Sequence, residues 1–340
     1  MMNLMSATDK PLKMVECTNC QAKVFIPGDL PPLATEPCKK CGHSIMMPMQ
    51  IRQFELQSKI ASGGNGKVYK AFDTVLSRFV AVKLMRKELE SDPVALENFY
   101  REARACASFN HTNIIHIYSY DELDGQRYLV MELADAGSLD SMIEKHARLS
   151  ELEVLDTGIK IANALNMVLR HNLLHRDIKP GNILFNSESE PKLIDFGLAR
   201  NVDAEPESTT VTEGTPYDVA PEKIKRERET PLSDMYSLGC TLYHALTGHV
   251  PFEAPSVEEL VAAHVHTQLT PPNLVVPEIT QATSDALVKA MAKNPADRFM
   301  SYDEFQMAFE AARAYLLVQS QQPQPKKGKT TTSWWKKKTT

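Results

Sequence analysis

The sequence predicts an α+β protein of two lobes, in which a small lobe built on an antiparallel β-sheet precedes a larger, mostly helical lobe. Three apolar runs of strand length start at Phe54, Val68 and Phe79, and a glycine-rich turn separates the first two. Residues 152–169 carry apolar side chains at positions 155, 159, 162, 165 and 169, the spacing of an amphipathic helix. Helical patterns also dominate residues 234–318. Strands thus precede helices along the chain, which is typical of an α+β fold.

The remaining elements of the small lobe follow at short intervals. Residues 93–108 have helical spacing, and this is the one helix expected in that lobe. Two further apolar runs, at residues 114–117 and 128–131, are expected to be strands that complete the sheet. We therefore expect the small lobe to span residues 54–133 and the large lobe to span residues 134–315.

Segments of different composition flank the two lobes. Residues 1–13 show no periodicity and are expected to be a flexible N-terminus. Residues 14–48 contain two pairs of cysteines and are too few to bury a core unaided. Residues 319–340 are rich in Gln, Pro, Lys and Thr, so we expect a disordered, basic tail.

Length and composition are those of an ordinary globular protein. The chain has 340 residues, of which 43% are hydrophobic and 24% are charged, and this length suffices for a sizeable core. A net charge of -5 argues against a protein that binds nucleic acid through charge alone. We find no apolar run of membrane-spanning length and no convincing export signal, so we expect a cytoplasmic protein.

Four cysteines form a pattern with metal-binding spacing. Cys17 and Cys20 form one Cys-x-x-Cys pair, Cys38 and Cys41 form a second, and seventeen residues separate the pairs. This spacing is typical of a Cys₄ zinc ribbon, whose structural Zn²⁺ would supply the folding free energy that so short a segment lacks. Redox-active dithiols and fortuitous surface cysteines are the competing interpretations. Since no dense basic patch accompanies the cysteines, we expect the ribbon to dock a protein partner or to regulate the protein itself rather than to bind nucleic acid.

A glycine-rich turn is expected between the first two strands of the small lobe. Gly63, Gly64 and Gly66 lie in it, and glycine lets backbone N–H groups approach phosphate oxygens closely. Ala61 stands where the usual nucleotide-binding pattern has its first glycine. An ordinary tight turn would show a similar glycine pattern. The pattern therefore indicates nucleotide binding only in combination with the residues around it.

Lys83 lies in the third apolar run, where a charged side chain is costly unless it is paired. Glu102, on the helix that follows, is the carboxylate that we expect to hold it. The lysine would then reach the α- and β-phosphates of a nucleotide. The alternative is that Lys83 emerges at the surface and that Glu102 belongs to a solvated helix face.

The most specific motif is His-Arg-Asp-Ile-Lys-Pro-Gly-Asn at residues 175–182, which Asp-Phe-Gly follows at residues 195–197. Together with the glycine-rich turn, the strand lysine, the helix glutamate and Ala-Pro-Glu at residues 220–222, these motifs match the protein kinase signature in order and spacing. The segment 54–315 therefore resembles a eukaryotic-type (Hanks-type) serine/threonine protein kinase domain of bacterial kind. The resemblance implies the two-lobed protein kinase fold, and Lys179 is typical of the serine/threonine branch.

The resemblance implies a role for each polar residue of these motifs. Asp177 would orient the acceptor hydroxyl and take its proton, and Lys179 would neutralise charge on the γ-phosphate. Asn182 and Asp195 would hold Mg²⁺ or Mn²⁺, and the strand lysine with its glutamate would position the other phosphates. The implied reaction transfers the γ-phosphoryl group of ATP to serine or threonine hydroxyls of protein substrates.

The resemblance also assigns residues to the nucleotide. Val68 and Ala81 would cover the adenine ring, and Leu184 would lie beneath it. Met131 would guard the back pocket, and backbone groups just beyond it would read the adenine edge. The residues implied to contact ATP are Ile60, Ala61, Ser62, Gly63, Gly64, Asn65, Gly66, Val68, Ala81, Lys83, Met131, Glu132, Leu133 and Leu184.

Regulation by phosphorylation is a further implication. Arg176 directly precedes Asp177, and in this family such an arginine accompanies control by a phosphorylated loop, because it can pair with the phosphate. We expect autophosphorylation of that loop; the candidate sites are Ser208, Thr209, Thr210 and Thr212. A flexible Ser/Thr-rich loop without phosphate is the alternative. Asp218 stands where the family usually has tyrosine, which leaves the substrate preference open.

Alternatives to an active kinase stay open at this point. A catalytically dead kinase fold could act as a scaffold through the ribbon, although such proteins usually lack a catalytic residue and none is missing here. A nucleic-acid-binding ribbon protein would show salt-dependent binding. In the tail, Trp334 and Trp335 beside lysines could touch an anionic membrane, but the segment is short and not clearly amphipathic, which favours a plain linker.

Overall fold

The computed structural model describes residues 12–17, 19–63, 66–89, 91–204 and 216–321. Its first elements are two antiparallel hairpins at residues 12–48 that we call the cysteine module, and the first of them begins two residues before the start expected at residue 14. Strand β1 (Leu12–Glu16) pairs with β2 (Lys23–Pro27), and β3 (Thr35–Pro37) pairs with β4 (Ser44–Met46). One small apolar cluster joins the hairpins and contains Cys17, Val24, Ile26, Cys38, Ile45 and Met47.

A six-stranded antiparallel sheet forms the small lobe, with neighbouring strands in the order β5-β6-β7-β8-β10-β9. Its strands are β5 (Met49–Ile51), β6 (Phe54–Ser62), β7 (Gly66–Asp73), β8 (Arg78–Met85), β9 (Ile117–Leu123) and β10 (Gln126–Met131). Helix α1 (Pro93–Ser108) connects β8 to β9. It begins after Asp92, whose side chain accepts a hydrogen bond from the backbone N–H of Val94 at 2.9 Å and so caps the helix.

Two features of this sheet differ from the prediction. Strand β5 lies before residue 54, where the lobe was expected to start, and it pairs with β6 from Met49 to Ile51. The strand expected at residues 114–117 begins only at Ile117. Ile114 instead forms an isolated bridge with Leu193, and the N–H of Ile115 donates to the carbonyl of Leu193 at 3.0 Å. The apolar run is therefore buried against the large lobe and not within the sheet.

The cysteine module packs on the face of the sheet opposite helix α1. Met46, at the end of β4, shares an apolar cluster with Val80 and Val82 of β8, whereas Ala81 belongs to the cluster that includes Phe99 of α1. Successive strand residues face opposite sides of a sheet, so the two clusters lie on its two faces. The module and the small lobe therefore share a continuous apolar contact.

The large lobe consists mainly of helices, with two short strand pairs at its junction with the sheet. The pairs are β11 (Leu173–Leu174) with β14 (Arg200–Asn201) and β12 (Ile183–Phe185) with β13 (Pro191–Leu193). The helices are α2 (Leu139–His146), α3 (Glu151–Arg170), α4 (Pro221–Ile224), α5 (Pro231–Thr247), α6 (Val257–His266), α7 (Pro272–Val275), α8 (Gln281–Ala290) and α9 (Tyr302–Gln321).

The central helix of this lobe is α3, which covers the amphipathic segment expected at residues 152–169. A capping box sets its start: the backbone N–H of Glu153 donates to the Ser150 hydroxyl at 3.3 Å, and the N–H of Ser150 donates to the Glu153 carboxylate at 2.9 Å. Its buried side chains, among them Leu155 and Leu165, lie in the same core as those of α5 and α9. The α+β prediction, with strands before helices, is confirmed.

The ends of the chain extend beyond the described residues. Residues 1–11 of the expected flexible N-terminus lie outside them, while the last two residues of that segment belong to β1. Residues 322–340 of the expected tail, with Trp334 and Trp335, also lie outside them, whereas residues 319–321 continue α9. Within the described part of the chain, no helix has both the length and the apolar content needed to cross a bilayer.

Candidate active site

The segment 175–182 connects β11 to β12, and its backbone adopts an unusual conformation. Arg176 has a φ of 71°, in the left-handed region that residues other than glycine seldom occupy. Asp234, in the first turn of α5, accepts hydrogen bonds from the backbone N–H groups of His175 at 2.7 Å and Arg176 at 2.8 Å. Asp234 is buried, so these charge-assisted bonds stabilise a turn that otherwise costs free energy.

The turn brings two of the predicted residues, Lys179 and Asn182, to the carboxylate of a third, Asp177. The ammonium of Lys179 lies 3.0 Å from Oδ1 and 2.8 Å from Oδ2 of Asp177. The side-chain amide of Asn182 donates to Oδ2 and to the backbone carbonyl of Asp177, both at 2.8 Å. Asn182 is buried and Lys179 is about half exposed. The Asp177 carboxylate is therefore held by the buried Asn182 on one side and contacts the half-exposed ammonium of Lys179 on the other.

Asp195 follows β13 and also has a left-handed backbone, with a φ of 66°. Phe196, the next residue, is fully buried, and its ring centroid lies 4.6 Å from that of His175. The Nε2 atom of His175 is 3.0 Å from the carbonyl oxygen of Ile194. These contacts join the two motifs, so Asp195 is placed at the edge of the same site as Asp177.

Lys83 of strand β8 and Glu102 of helix α1 form a buried ion pair. The distance from Lys83 Nζ to Glu102 Oε2 is 2.5 Å, and their side chains are only 12% and 7% exposed. Burial by itself lowers the pKa of Lys83, but the charges of Glu102 and Asp195 outweigh it and leave that pKa above its ordinary value. Lys83 therefore stays protonated and faces the carboxylate of Asp195 as well as that of Glu102.

The glycine-rich turn joins β6 to β7, with Ala61 paired to Val68 across the strands. Gly66 is required by close packing, because a Cβ atom there would lie 2.5 Å from the carbonyl oxygen of Leu84. The backbone carbonyl of Gly63 accepts a hydrogen bond from Arg86 Nη2 at 2.7 Å. The segment 60–63 is exposed, whereas Gly64 and Asn65 lie outside the described residues.

Four of the apolar residues expected to contact the adenine ring pack together between this turn and the large lobe, and we call the region that they border the slot. Val68 and Leu184 are partly buried and pack against the main core, to which Ala81 and Met131 belong. Met131 pairs with Ala81 across β8 and β10, so both lie at the end of the sheet that faces the large lobe. Glu132, the next residue, forms an ion pair with Lys192 at 2.5 Å. Apolar side chains therefore border the slot, and a mostly buried ion pair lies beside it, a combination that suits a flat aromatic ring.

Comparison with known proteins decides the family. Residues 54–309 match the family of the protein kinase domain. The chain belongs to the protein kinase family. It is 37% identical over 276 residues to a probable serine/threonine-protein kinase PknB of Bifidobacterium longum, an alignment that covers 77% of this chain and 40% of the relative. It is also 37% identical over 268 residues to serine/threonine-protein kinase PknA of Mycobacterium tuberculosis, covering 77% of this chain and 62% of the relative.

The similarity thus covers the kinase domain, whereas the relatives are longer than the aligned segment. A third relative, serine/threonine-protein kinase PknK of Mycobacterium tuberculosis, is 39% identical over 248 residues, which cover 72% of this chain and 22% of the relative. The alignments therefore span between about a fifth and three fifths of these relatives. The expected resemblance to bacterial serine/threonine kinases is confirmed by these matches, and members of this family use ATP with Mg²⁺ or Mn²⁺ and act on proteins.

Residues 205–215 of the segment after Asp195 lie outside the described residues. The candidate phosphorylation sites Ser208, Thr209, Thr210 and Thr212 lie outside the described residues. Beyond them, Glu222 of the Ala-Pro-Glu motif and Arg298 form a buried bidentate pair, with distances of 2.7 and 2.9 Å. The pair joins the end of this segment to the loop between α8 and α9, so it stabilises the large lobe of the kinase domain.

Asp218 is partly buried, and it lies near Asp177 and Lys179 of the segment 175–182, which we call the catalytic loop. Its Oδ1 accepts a hydrogen bond from the Thr241 hydroxyl at a long 3.4 Å. Burial raises the pKa of Asp218 to about 7, and the negative charge of Asp177 adds to this rise. A carboxyl group that is half protonated near neutral pH therefore stands where most kinases have a tyrosine.

The four cysteines of the module converge as the sequence predicts. All four Sγ atoms lie within 4.8 Å of one another. Cys17 and Cys41 have their sulfurs 3.7 Å apart, and the sulfurs of Cys20 and Cys38 are 3.8 Å apart. A disulfide needs about 2.05 Å, whereas a tetrahedral zinc site with bonds of about 2.3 Å separates its sulfurs by about 3.8 Å. The spacing therefore fits a tetrahedral metal ion and not a disulfide.

Three polar contacts in the kinase domain were not anticipated. Arg86 holds the glycine-rich turn, Lys192 pairs with Glu132 at the edge of the slot, and Glu229 binds the guanidinium of Arg176. Each partner is far away in sequence or is an ordinary surface residue type, so no local pattern marks it. For the two ion pairs, the available signal was the requirement that a buried charge finds an opposite charge; the contact of Arg86 with a backbone carbonyl had no such signal.

Proposed function

We propose that this protein is an active serine/threonine protein kinase that transfers the γ-phosphoryl group of ATP to serine or threonine hydroxyls of proteins. The observation that carries the proposal is the constellation at Asp177, whose carboxylate contacts both Lys179 and Asn182. Phosphoryl transfer depends on positioning and charge neutralisation, and this arrangement offers both.

Each residue of the constellation has a task in that reaction. Asp177 accepts the proton of the acceptor hydroxyl and orients its oxygen for attack on the γ-phosphorus. Lys179, which is already bound to the carboxylate, moves toward the transferred phosphoryl group as its negative charge is redistributed. Asn182 and Asp195 supply the oxygen ligands that Mg²⁺ or Mn²⁺ prefers. A divalent ion held by these two residues would supply neutralisation of the phosphate charge.

The nucleotide is bound mainly by the small lobe, and Leu184 of the large lobe lies on the other side of the adenine ring. Lys83, held by Glu102, contacts the α- and β-phosphates, and the glycine-rich turn covers them with backbone N–H groups. The adenine ring lies in the apolar slot between Ala81 and Leu184. Met131 closes the back of that slot, and the backbone of residues 132–133 reads the edge of the ring.

A catalytically dead scaffold is the alternative that the site argues against. Pseudokinases usually lack one of the residues that bind phosphate, metal or the acceptor, and here the set is complete and the ion pair of Lys83 is formed. The test measures transfer of ³²P from labelled ATP to a generic basic protein. Asp177→Asn should abolish transfer while ATP binding, measured by calorimetry, persists. Equal transfer by the parent protein and Asp177→Asn would rule out this function.

Autophosphorylation belongs to the proposed function. Residues 208–212 hold four candidate acceptors, and the positive charges of Arg176 and Arg101 are close enough to Arg200 to lower its pKa, after the larger effect of burial. A phosphate on the loop would find its counter-charges there. Mass spectrometry after incubation with ATP should detect phosphate within 208–212 in the parent protein. Loss of this phosphate in Asp177→Asn would attribute it to the protein's own activity.

We propose a structural Zn²⁺ for the cysteine module. The sulfur spacing supports four thiolate ligands with no open position, which excludes a catalytic role for the ion. Elemental analysis of purified protein should find about one zinc per chain. The module is then a folded surface that could dock a protein partner, whereas its charge gives little support for nucleic acid. A cytoplasmic location and a membrane contact of the tail stay predictions.

A further inference from the structure

Arg176, the residue before the catalytic aspartate, is held by a carboxylate that no kinase motif includes. Its Nε and Nη2 atoms donate to Oε1 of Glu229 at 3.0 and 2.6 Å. The two side chains are 9% and 16% exposed. Glu229 lies 53 residues further along the chain, shortly before α5. A well-buried contact of this kind, with both donors on one carboxylate oxygen, is strong because it combines charge with short hydrogen bonds.

Two further residues, Lys223 and Asp234, bind the backbone of Arg176. The ammonium of Lys223 donates to the backbone carbonyl of Arg176 at 2.9 Å and lies 3.9 Å from Oε2 of Glu229. Asp234 binds the backbone N–H of Arg176 at 2.8 Å. Arg176 is therefore fixed at its N–H, its carbonyl and its guanidinium. Because its backbone is in the left-handed region, the contacts also fix the direction in which the chain enters Asp177.

Glu229 is placed among positive charges. Arg200 has its pKa lowered by burial first and then by the nearby charges of Arg176 and Arg101, while Glu229 acts in the opposite direction. Arginines from α1, the catalytic loop and β14 thus share one region with this carboxylate. Such a cluster is stabilised by an anion, and Glu229 supplies one negative charge from outside the loop 205–215.

We propose that Glu229 is a positioning residue that holds Arg176, and with it the catalytic loop, in the arrangement needed for transfer before any phosphate is present on the loop 205–215. This inference rests on the proposed kinase function. A kinase that phosphorylates its own loop must already be active, and the Glu229 contact provides an organised catalytic loop for that first event. Phosphate on the loop 205–215 then adds negative charge near these arginines, at a time when the catalytic loop is already in place.

The test compares Glu229→Gln with Glu227→Gln, which removes an exposed carboxylate two residues away. Both proteins are treated with phosphatase and assayed before phosphate returns. Glu229→Gln should lower kcat by about 100-fold with the KM for ATP changed less than about twofold, because the acceptor-binding loop moves while the nucleotide site stays. Glu227→Gln should match the parent protein. A parent protein in which Ser208, Thr209, Thr210 and Thr212 are all replaced by Ala should keep most of its activity.

Hydrogen exchange provides a readout that does not depend on catalysis. The backbone amides of residues 173–182 should exchange faster in Glu229→Gln than in Glu227→Gln. If the parent protein transfers no phosphate, the proposed kinase function fails, and exchange alone still decides the role of Glu229. Equal exchange and equal kcat in the two variants would overturn the inference, as would loss of all activity in the four-alanine loop variant. Should Glu229→Gln not fold, Glu229→Asp replaces it, with an expected loss in kcat of about tenfold.

Discussion

The ammonium of Lys83 lies 2.5 Å from the carboxylate of Glu102, so strand β8 and helix α1 meet through one buried ion pair. The helix must lie close to the sheet for this contact to form. Asp195 adds its charge to the surroundings of Lys83, which links the small lobe to the motif that follows β13. The pair therefore couples the position of α1 to the place where the phosphates are proposed to bind.

We expect Glu102→Gln to lower kcat/KM by about 100-fold, because a neutral partner no longer orients Lys83 toward the nucleotide. The matched control is Glu97→Gln on the same helix, where the carboxylate is 54% exposed and pairs with Arg104 at 3.1 Å. That variant should behave like the parent protein, since exposed pairs contribute little. Steady-state kinetics at several ATP concentrations measure both. Similar losses in the two variants would mean that the helix as a whole, and not this pair, sets activity.

Short-range patterns predicted the parts of the site whose residues are close in sequence. Asp177 and Asn182 lie in one turn, and the spacing of their motif already fixed which side chains share it. The pairing of Glu132 with Lys192 and the contact of Arg176 with Glu229 join separate elements. Such contacts depend on how the helices and strands pack, which periodicity and turn residues do not encode.

Elements of the fold likewise divide into those that local sequence predicts and those that depend on distant residues. Helix α3 follows from its apolar spacing and its capping box, both of which are local. Strand β5 is three residues long and forms only because β6 offers a free edge to pair with. The docking of the cysteine module on the sheet likewise depends on a shared apolar cluster, in which Met46 meets residues that are distant in sequence. A three-residue run has too little pattern to reveal either feature.

Removing the Glu222 carboxylate should destabilise the large lobe. Glu222→Gln leaves Arg298, which is 2% exposed, without a charged partner, and breaking a buried pair on one side typically costs about 3–5 kcal/mol. Urea unfolding should therefore show a clearly lower midpoint. Asp203→Asn, which removes an exposed partner of Arg228, is the control and should leave the midpoint unchanged. A small effect of Glu222→Gln would show that Arg298 is held mainly by its backbone carbonyl partners.

Asp218 should make stability depend on pH below neutrality. Its pKa is raised from 3.8 to about 7, so the folded protein binds this proton more tightly than the unfolded chain. The contribution is therefore fully present below about pH 4 and is lost as the pH rises through about 7. Asp218→Asn removes the dependence, so the variant should gain stability relative to the parent as the pH rises, by at most about 4 kcal/mol.

Several charged and polar groups near Asp218 change its pKa and therefore the pH range over which its effect is measured. Asp177 and Asp140 raise its pKa, whereas the hydroxyl of Thr241 and the ammonium of Lys179 lower it. Denaturant unfolding of Asp218→Asn and of the parent protein is compared from pH 4 to pH 8. Asp124→Asn, at an exposed turn, serves as the control and should follow the parent at every pH. A constant difference between Asp218→Asn and the parent would contradict a raised pKa.

Loss of metal from the cysteine module should weaken the kinase domain as well as the module. Met46 is 8% exposed and belongs to the apolar cluster of the sheet, and it lies five residues after Cys41. If the four thiolates lose their ion, the hairpin that presents Met46 has little core of its own to keep it folded. A strong chelator should therefore remove about one zinc per chain and lower the midpoint of thermal unfolding of the whole protein.

Two substitutions separate the apolar contact from the metal. Met46→Asp buries a charge at the contact and should lower the unfolding midpoint by about 5 °C or more while zinc content stays the same. Met14→Asp, on β1 of the same module where the side chain is 53% exposed, should change neither quantity. Calorimetry and elemental analysis of the same samples give both readouts. An unchanged midpoint in Met46→Asp, with zinc retained, would mean that the module and the sheet fold independently and that chelation acts on the module alone.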